Sequence, residues 1–220
     1  MQFDVEIKKH TGMRILVSVC STRDWKPHFG IRFANMIVQT TRRGNEISLV
    51  DLDLRGGASQ SNLSAARQAH IDHAMQAGYT HIAMFDDDMM FPGDTILRLA
   101  KHGLPFVFAN VAQKVPNKVN GVCLDLENVQ RIDSTGRTGV EQVAYGTLAC
   151  TLIEVEQFRH IPRPHFAVEW DAANNRYQGE DHYFFQKLGR AGRTFWMDND
   201  LSQEVYHVGD YPYGFTQMKF

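Results

Sequence analysis

The chain has 220 residues, 43% hydrophobic and 22% charged, with a formal net charge of -2. This length suits one α/β domain with a substantial core, and the near-neutral charge excludes a general attraction to nucleic acid or an anionic membrane, leaving only local basic patches. Cys20, Cys123 and Cys150 are few, odd in number and far apart, which argues against a disulfide framework or a zinc knuckle. The start carries Asp4 and Glu6 rather than a basic then apolar leader, and no apolar run approaches a membrane span. A cytoplasmic setting is the expectation.

In chain order, residues 13–20 are nearly continuously apolar and predict a strand buried on both faces. Ser21-Thr22-Arg23-Asp24 is a polar loop. The spacing predicts a helix over about 28–40, then a short strand over 47–52 broken by Gly56-Gly57. Ser59, Ser61 and Asn62 offer cap oxygens for an Ala-rich helix over 63–77, and Gly78 stops it. Within that helix His70 and His73 read as a half-exposed face rather than a metal pair. A strand over 81–85 follows, then Pro92-Gly93, Asp94 as a cap, a helix over 95–102 and a fourth strand over 106–109. Such alternation predicts a parallel sheet with right-handed crossovers, whose ligands bind beyond the strand C-termini.

Residues 111–140, which include Lys114, Pro116 and Lys118, lose the pattern and read as loops or a short hairpin. Apolar character returns over 143–155. Gly179-Glu180-Asp181 opens a helix to about Arg190. Phe195-Trp196-Met197 reads as a late strand, and Val205-Tyr206-His207 precedes an aromatic tail.

The feature with most chemical content is the run Asp86, Asp87 and Asp88 directly after the apolar strand His81-Ile82-Ala83-Met84-Phe85. Two unit charges about 4 Å apart repel by roughly 4 kcal/mol at an effective dielectric of about 20. A divalent cation is the simplest offset, and so few carboxylates leave its other positions open to water and phosphate oxygens. Strand alternation predicts Asp86 and Asp88 on one face and Asp87 turned away. The alternative reading of each residue is structural: Asp87 as a solvated charge, Asp181 as a charge at a helix N-terminus, His207 as an ordinary packed histidine. Trp170, Tyr211 and Tyr213 lie in loop-like stretches and are candidates for stacking on a sugar or base.

The ordered set of Ala65-Ala66-Arg67, Met84-Phe85-Asp86-Asp87-Asp88, Tyr145-Gly146-Thr147, Gly179-Glu180-Asp181 and Val205-Tyr206-His207 resembles the GT-A glycosyltransferases. Within them it is most similar to small family-2-like enzymes of bacteriophages and bacteria. The resemblance spans roughly 14–208. It implies a single-domain α/β, Rossmann-like, mostly parallel sheet flanked by helices, with a nucleotide-binding part over about 13–110 and an acceptor side over about 111–208. It implies Mn²⁺ or Mg²⁺ held by Asp88, His207 and Asp86, with Asp86 and Asp87 near the donor. Ser21, Thr22 and Arg67 would line the nucleotide, and Gly146 would let backbone approach the sugar or acceptor. Asp181, beside Glu180, would be the catalytic base. The donor would be a nucleotide-diphosphate sugar, and the acceptor a saccharide or a hydroxymethylated pyrimidine in phage DNA. Gln68 departs from the family, where Asn often follows the arginine. A metal-dependent phosphohydrolase and a non-catalytic nucleotide- or sugar-binding protein are the competing functional classes.

Overall fold

The computed structural model describes residues 12–21, 25–43, 45–53, 60–115, 121–127, 130–172, 175–209 and 211–216. The elements in chain order are β1 (Arg14–Ser21), α1 (Pro27–Arg42), β2 (Glu46–Asp53), α2 (Gln60–Gln76), β3 (His81–Asp86), β4 (Met89–Met90), α3 (Thr95–Lys101) and β5 (Phe106–Ala109). They continue with β6 (Val140–Val143), β7 (Cys150–Glu154), a 3-10 turn (Val155–Phe158), β8 (Glu169–Asp171), β9 (Arg176–Gln178) and α4 (Glu180–Arg190). The chain closes with β10 (Phe195–Asp198), α5 (Asn199–Ser202), β11 (Tyr206–Val208) and β12 (Pro212–Tyr213).

Seven strands form one sheet in the order β2-β1-β3-β7-β5-β10-β6. β1 pairs in parallel with β2 and β3, and β10 in parallel with β5. β7 runs antiparallel between β3 and β5, and β6 is antiparallel at the β10 edge. The sheet is therefore mostly, not wholly, parallel. Alternation alone does not reveal β7, because a strand buried on both faces reads the same in either direction.

Successive strand residues serve opposite layers. Leu16, Ile82, Met84, Phe106 and Phe108 pack with Ile71 of α2 and with Phe184, Phe185 and Leu188 of α4. Ile15, Val17, Ala83, Phe85 and Val107 pack with Phe29, Phe33 and Met36 of α1, Ile96 and Leu99 of α3 and Leu201 of α5. The result is a three-layer sandwich. In α1 the buried positions Phe29, Phe33, Met36 and Thr40 recur at helical spacing behind Pro27 in the first turn. Asp94 occupies the N-cap position of α3, but its side chain makes no capping hydrogen bond, so the expected role as a cap is not realised. Cys123 and Cys150 are buried free thiols.

His70 is not half exposed. It is 2% exposed between α2 and β1, with Nδ1 hydrogen-bonded to Ser18 Oγ at 2.6 Å. Burial, then the charges of His73 and Arg67, pull its pKa from 6.5 down to about 4. Below pH 6.5 the unfolded chain takes up a proton that the folded chain resists until about pH 4. The contribution of His70 is therefore fully present above pH 6.5 and is lost through that window, about 3 kcal/mol at most. Compared by thermal unfolding between pH 6.5 and 4, His70→Asn should lose less stability on acidification than the wild type; identical losses would refute the assignment.

Candidate functional site

β1 and β3 end side by side, with Cys20 paired to Asp86. The head of α4 reaches the same sheet edge. The link between them is Arg67 of α2, a guanidinium only 4% exposed. Its Nη2 donates to Asp86 Oδ1 at 3.0 Å, and its Nη1 donates to Glu180 Oε1 at 3.0 Å and also to Asp181 Oδ1. One cation thus joins the end of β3 to the first turn of α4. The planar guanidinium fork suits several carboxylates at once. Burial opposes the charge on Arg67, but Asp181, Asp86 and Glu180 outweigh it and raise its pKa.

Burial raises the pKa of Asp181, opposed by Arg67 and reinforced by Glu180. Asp86 is raised for the same first reason, opposed by Arg67 and reinforced by Asp181 and Asp88. A carboxylate shifted upward and held at a helix head is a serviceable proton acceptor. Tyr145, whose ring lies 5.3 Å from that of His182, has its hydroxyl pushed up by burial and then by Asp181.

β3 stops at Asp86, and Asp87 and Asp88 form a turn into β4. Strand alternation therefore does not extend to Asp88. Its position is set instead by the C-terminal hairpin: its carbonyl accepts from Val208 N at 2.7 Å, and β4 pairs with β11. This brings His207 Nε2 within 3.4 Å of Asp88 Oδ2. His207 Nδ1 donates to the Ala112 carbonyl at 3.1 Å, which orients the ring and leaves Nε2 toward the carboxylate. A proton on Nε2 or a metal ion satisfies that pair. Lys114 Nζ stands 2.5 Å from the same oxygen, while Asp88 Oδ1 is buried with no hydrogen-bond partner among the described residues. Burial would raise Asp88, but hydrogen bonds from His207 and Lys114 carry it down to about 2. An ionised carboxylate with an orphaned buried oxygen beside an oriented imidazole fits a divalent cation. Among the described residues no three His, Cys, Asp or Glu side chains form a ready metal cluster, so such a cation would draw its remaining ligands from phosphate and water.

The other expected residues fall as follows. Ser21 is buried at the end of β1 and accepts from Trp25 Nε1 at 3.2 Å. Thr22 lies outside the described residues. Asp87 sits in the turn, half-buried. Gly146 is buried, and a Cβ there would come within 2.1 Å of the Phe108 ring, so core packing accounts for this glycine. Gln68 locks the next layer: its Oε1 accepts from His165 N at 2.6 Å and its Nε2 donates to Asp72 Oδ1 at 3.1 Å. Lys114 carried no signal, being one lysine in an aperiodic stretch. The β8–β9 hairpin, which presents Trp170 and Tyr177 with ring centroids 5.1 Å apart just before Gly179, was legible only as one loop tryptophan.

No family model and no curated protein matches the sequence. In three dimensions the chain is similar to A197 from STIV, with a TM-score of 0.59 and 18% identity over 90% of this chain and 87% of that one. It is also similar to a mutant of Drosophila β1,4-galactosyltransferase 7 solved with manganese, UDP-Gal and xylobiose, with a TM-score of 0.51 and 14% identity over 89% and 71%. The fold is GT-A-like. Among the described residues no helix is long and apolar enough to cross a membrane.

Arg67→Met should cost up to about 3–5 kcal/mol of stability in denaturant unfolding, because it leaves the buried Glu180 and the half-buried Asp86 and Asp181 without their cation. A loss below about 1 kcal/mol would show that Arg67 does not hold them.

Proposed function

We propose that this chain is a metal-dependent glycosyltransferase that moves a sugar from a nucleotide-diphosphate donor to an acceptor hydroxyl. The observation that carries the reading is the double grip of Arg67 on Asp86 and Asp181. It joins the carboxylate-rich end of β3 to the head of α4, and Asp86 feels the charges of Asp88 and His207. The structural likeness to a galactosyltransferase supports the same reading.

Asp88 and His207 would hold Mn²⁺ or Mg²⁺, which when bound neutralises charge on the departing diphosphate. Asp86, its Oδ1 fixed by Arg67, contributes negative charge beside that site and takes the donor-side role. Ser21, at the end of β1, would line the nucleoside. Asp181 accepts the proton of the acceptor hydroxyl as its oxygen bonds the anomeric carbon. The bond from that carbon to the diphosphate oxygen breaks, and its electron pair leaves with the diphosphate. Arg67 keeps Asp181 aimed and limits its basicity, while burial and Glu180 restore it.

The acceptor would lie against the β8–β9 hairpin. Trp170 and Tyr177 are 51% and 71% exposed there, a stacking surface beside the proposed base. Glu169 and Asp171 flank it and Arg176 is the sole cation within its two strands, which favours a saccharide ring over a long DNA backbone.

Thermal shift with a panel of nucleoside diphosphates tests the reading. Stabilisation should require Mn²⁺ and should vanish in Asp88→Asn. Asp181→Asn should keep donor binding and lower transfer by about two to four orders of magnitude. Release of phosphate from a generic ester, or normal transfer by Asp181→Asn, would contradict it.

A further inference from the structure

Asp88 Oδ2 faces two groups at once, Lys114 Nζ at 2.5 Å and His207 Nε2 at 3.4 Å. These groups come from distant parts of the chain. Lys114 follows the isolated bridge between Ala112 and Gly121, and Ala112 is the residue whose carbonyl orients His207. A single short segment therefore sets the imidazole by its backbone and the carboxylate by a side chain. The lysine stem is also placed: a Cβ on Gly209 would stand 3.1 Å from Tyr213 Cε2 and 3.3 Å from Lys114 Cδ, so the hairpin turn packs closely against the stem. The ammonium and the imidazole thus share one Asp88 oxygen.

We propose that Lys114 is a resident counter-cation that holds Asp88 while the metal position is unfilled, yields that oxygen to the divalent ion, and then pairs with the donor diphosphate. This deepens the glycosyltransferase reading and rests on it. Two cations on one carboxylate oxygen repel, so an arriving dication displaces the ammonium. The lysine head is a compact point charge on a flexible stem and is a natural phosphate binder, so the diphosphate is its next partner. The released Asp88 side chain stays ionised, with the imidazole still oriented by Ala112. Lys114 thus changes partner, from Asp88 to the donor diphosphate. Its consequence is coupling: metal alone must compete with a tethered ammonium, whereas metal and diphosphate together supply both cations with anions. By linkage, diphosphate strengthens metal binding and metal strengthens diphosphate binding by the same factor.

The test is a titration of the purified chain with Mn²⁺, free ion read by electron paramagnetic resonance, without and with inorganic pyrophosphate. Wild type should bind Mn²⁺ weakly alone and more tightly with pyrophosphate. Lys114→Met should bind Mn²⁺ alone about tenfold more tightly, and its Mn²⁺-loaded form should bind pyrophosphate about tenfold more weakly, within the usual range of coupling between sites. Lys114→Arg, which keeps the charge, should follow the wild-type order. Lys114→Gln carries the same measurement if the methionine variant does not fold. Wild type that binds no Mn²⁺ defeats the metal reading and this inference together. Wild type that binds Mn²⁺, with Lys114→Met binding it equally or less tightly, overturns the inference alone and leaves the metal reading standing.

Discussion

The burial of one guanidinium among three carboxylates organises this molecule's candidate site. Arg67 is almost wholly removed from water, as is its partner Glu180. Isolated, such a charge would be prohibitive in the interior; paired and hydrogen-bonded, it becomes a fixed joint. The partners lie 19, 113 and 114 positions away in sequence. The joint therefore forms only when α2, the end of β3 and the head of α4 have reached their places. A buried ion group of this kind is weak evidence of stability for its own sake. Its worth lies in geometry, because it sets the distance between Asp86 and the proposed base Asp181.

The sheet makes that joint possible. Strands buried on both faces give two apolar layers, and the parallel neighbours β1 and β3 open at the same edge. The second charge centre has a different foundation. Asp88 and His207 are brought together by a small three-stranded sheet of β12, β11 and β4, not by the main sheet, and Lys114 reaches Asp88 from the segment after β5. The two centres are nevertheless electrostatically joined, since Asp86 feels both Asp88 and His207. Negative charge is concentrated where a cation and a phosphorylated ligand would have to meet: Asp86, Glu180 and Asp181 share Arg67, and Asp88 faces Lys114 and His207.

Much of this architecture was readable from the chain because its elements follow local rules. The apolar run over 13–20, the Ala-rich helix before Gly78 and the helix opened by Glu180 differ from β1, α2 and α4 by only a few residues at their ends. The aspartates stood out as charge against a buried strand. What was not readable depends on long-range pairing. β7 inserts antiparallel because its partners β3 and β5 flank it, which no local pattern records. Asp88 leaves the strand because the hairpin at β11 captures its carbonyl. His70 looked half exposed in a helical pattern, yet Ser18 on β1 buries it. Lys114 had no signal, because its meaning lies in a contact across 26 positions. The order of the site residues was legible through the resemblance, but the arginine's threefold partnership was not.

The most direct measurement is anomalous diffraction at the manganese edge from crystals soaked with Mn²⁺ and a nucleoside diphosphate. The account predicts one strong peak bonded to an Asp88 carboxylate oxygen and His207 Nε2, with diphosphate oxygens completing its shell. A peak elsewhere, or diphosphate bound with no metal between it and Asp88, would contradict it.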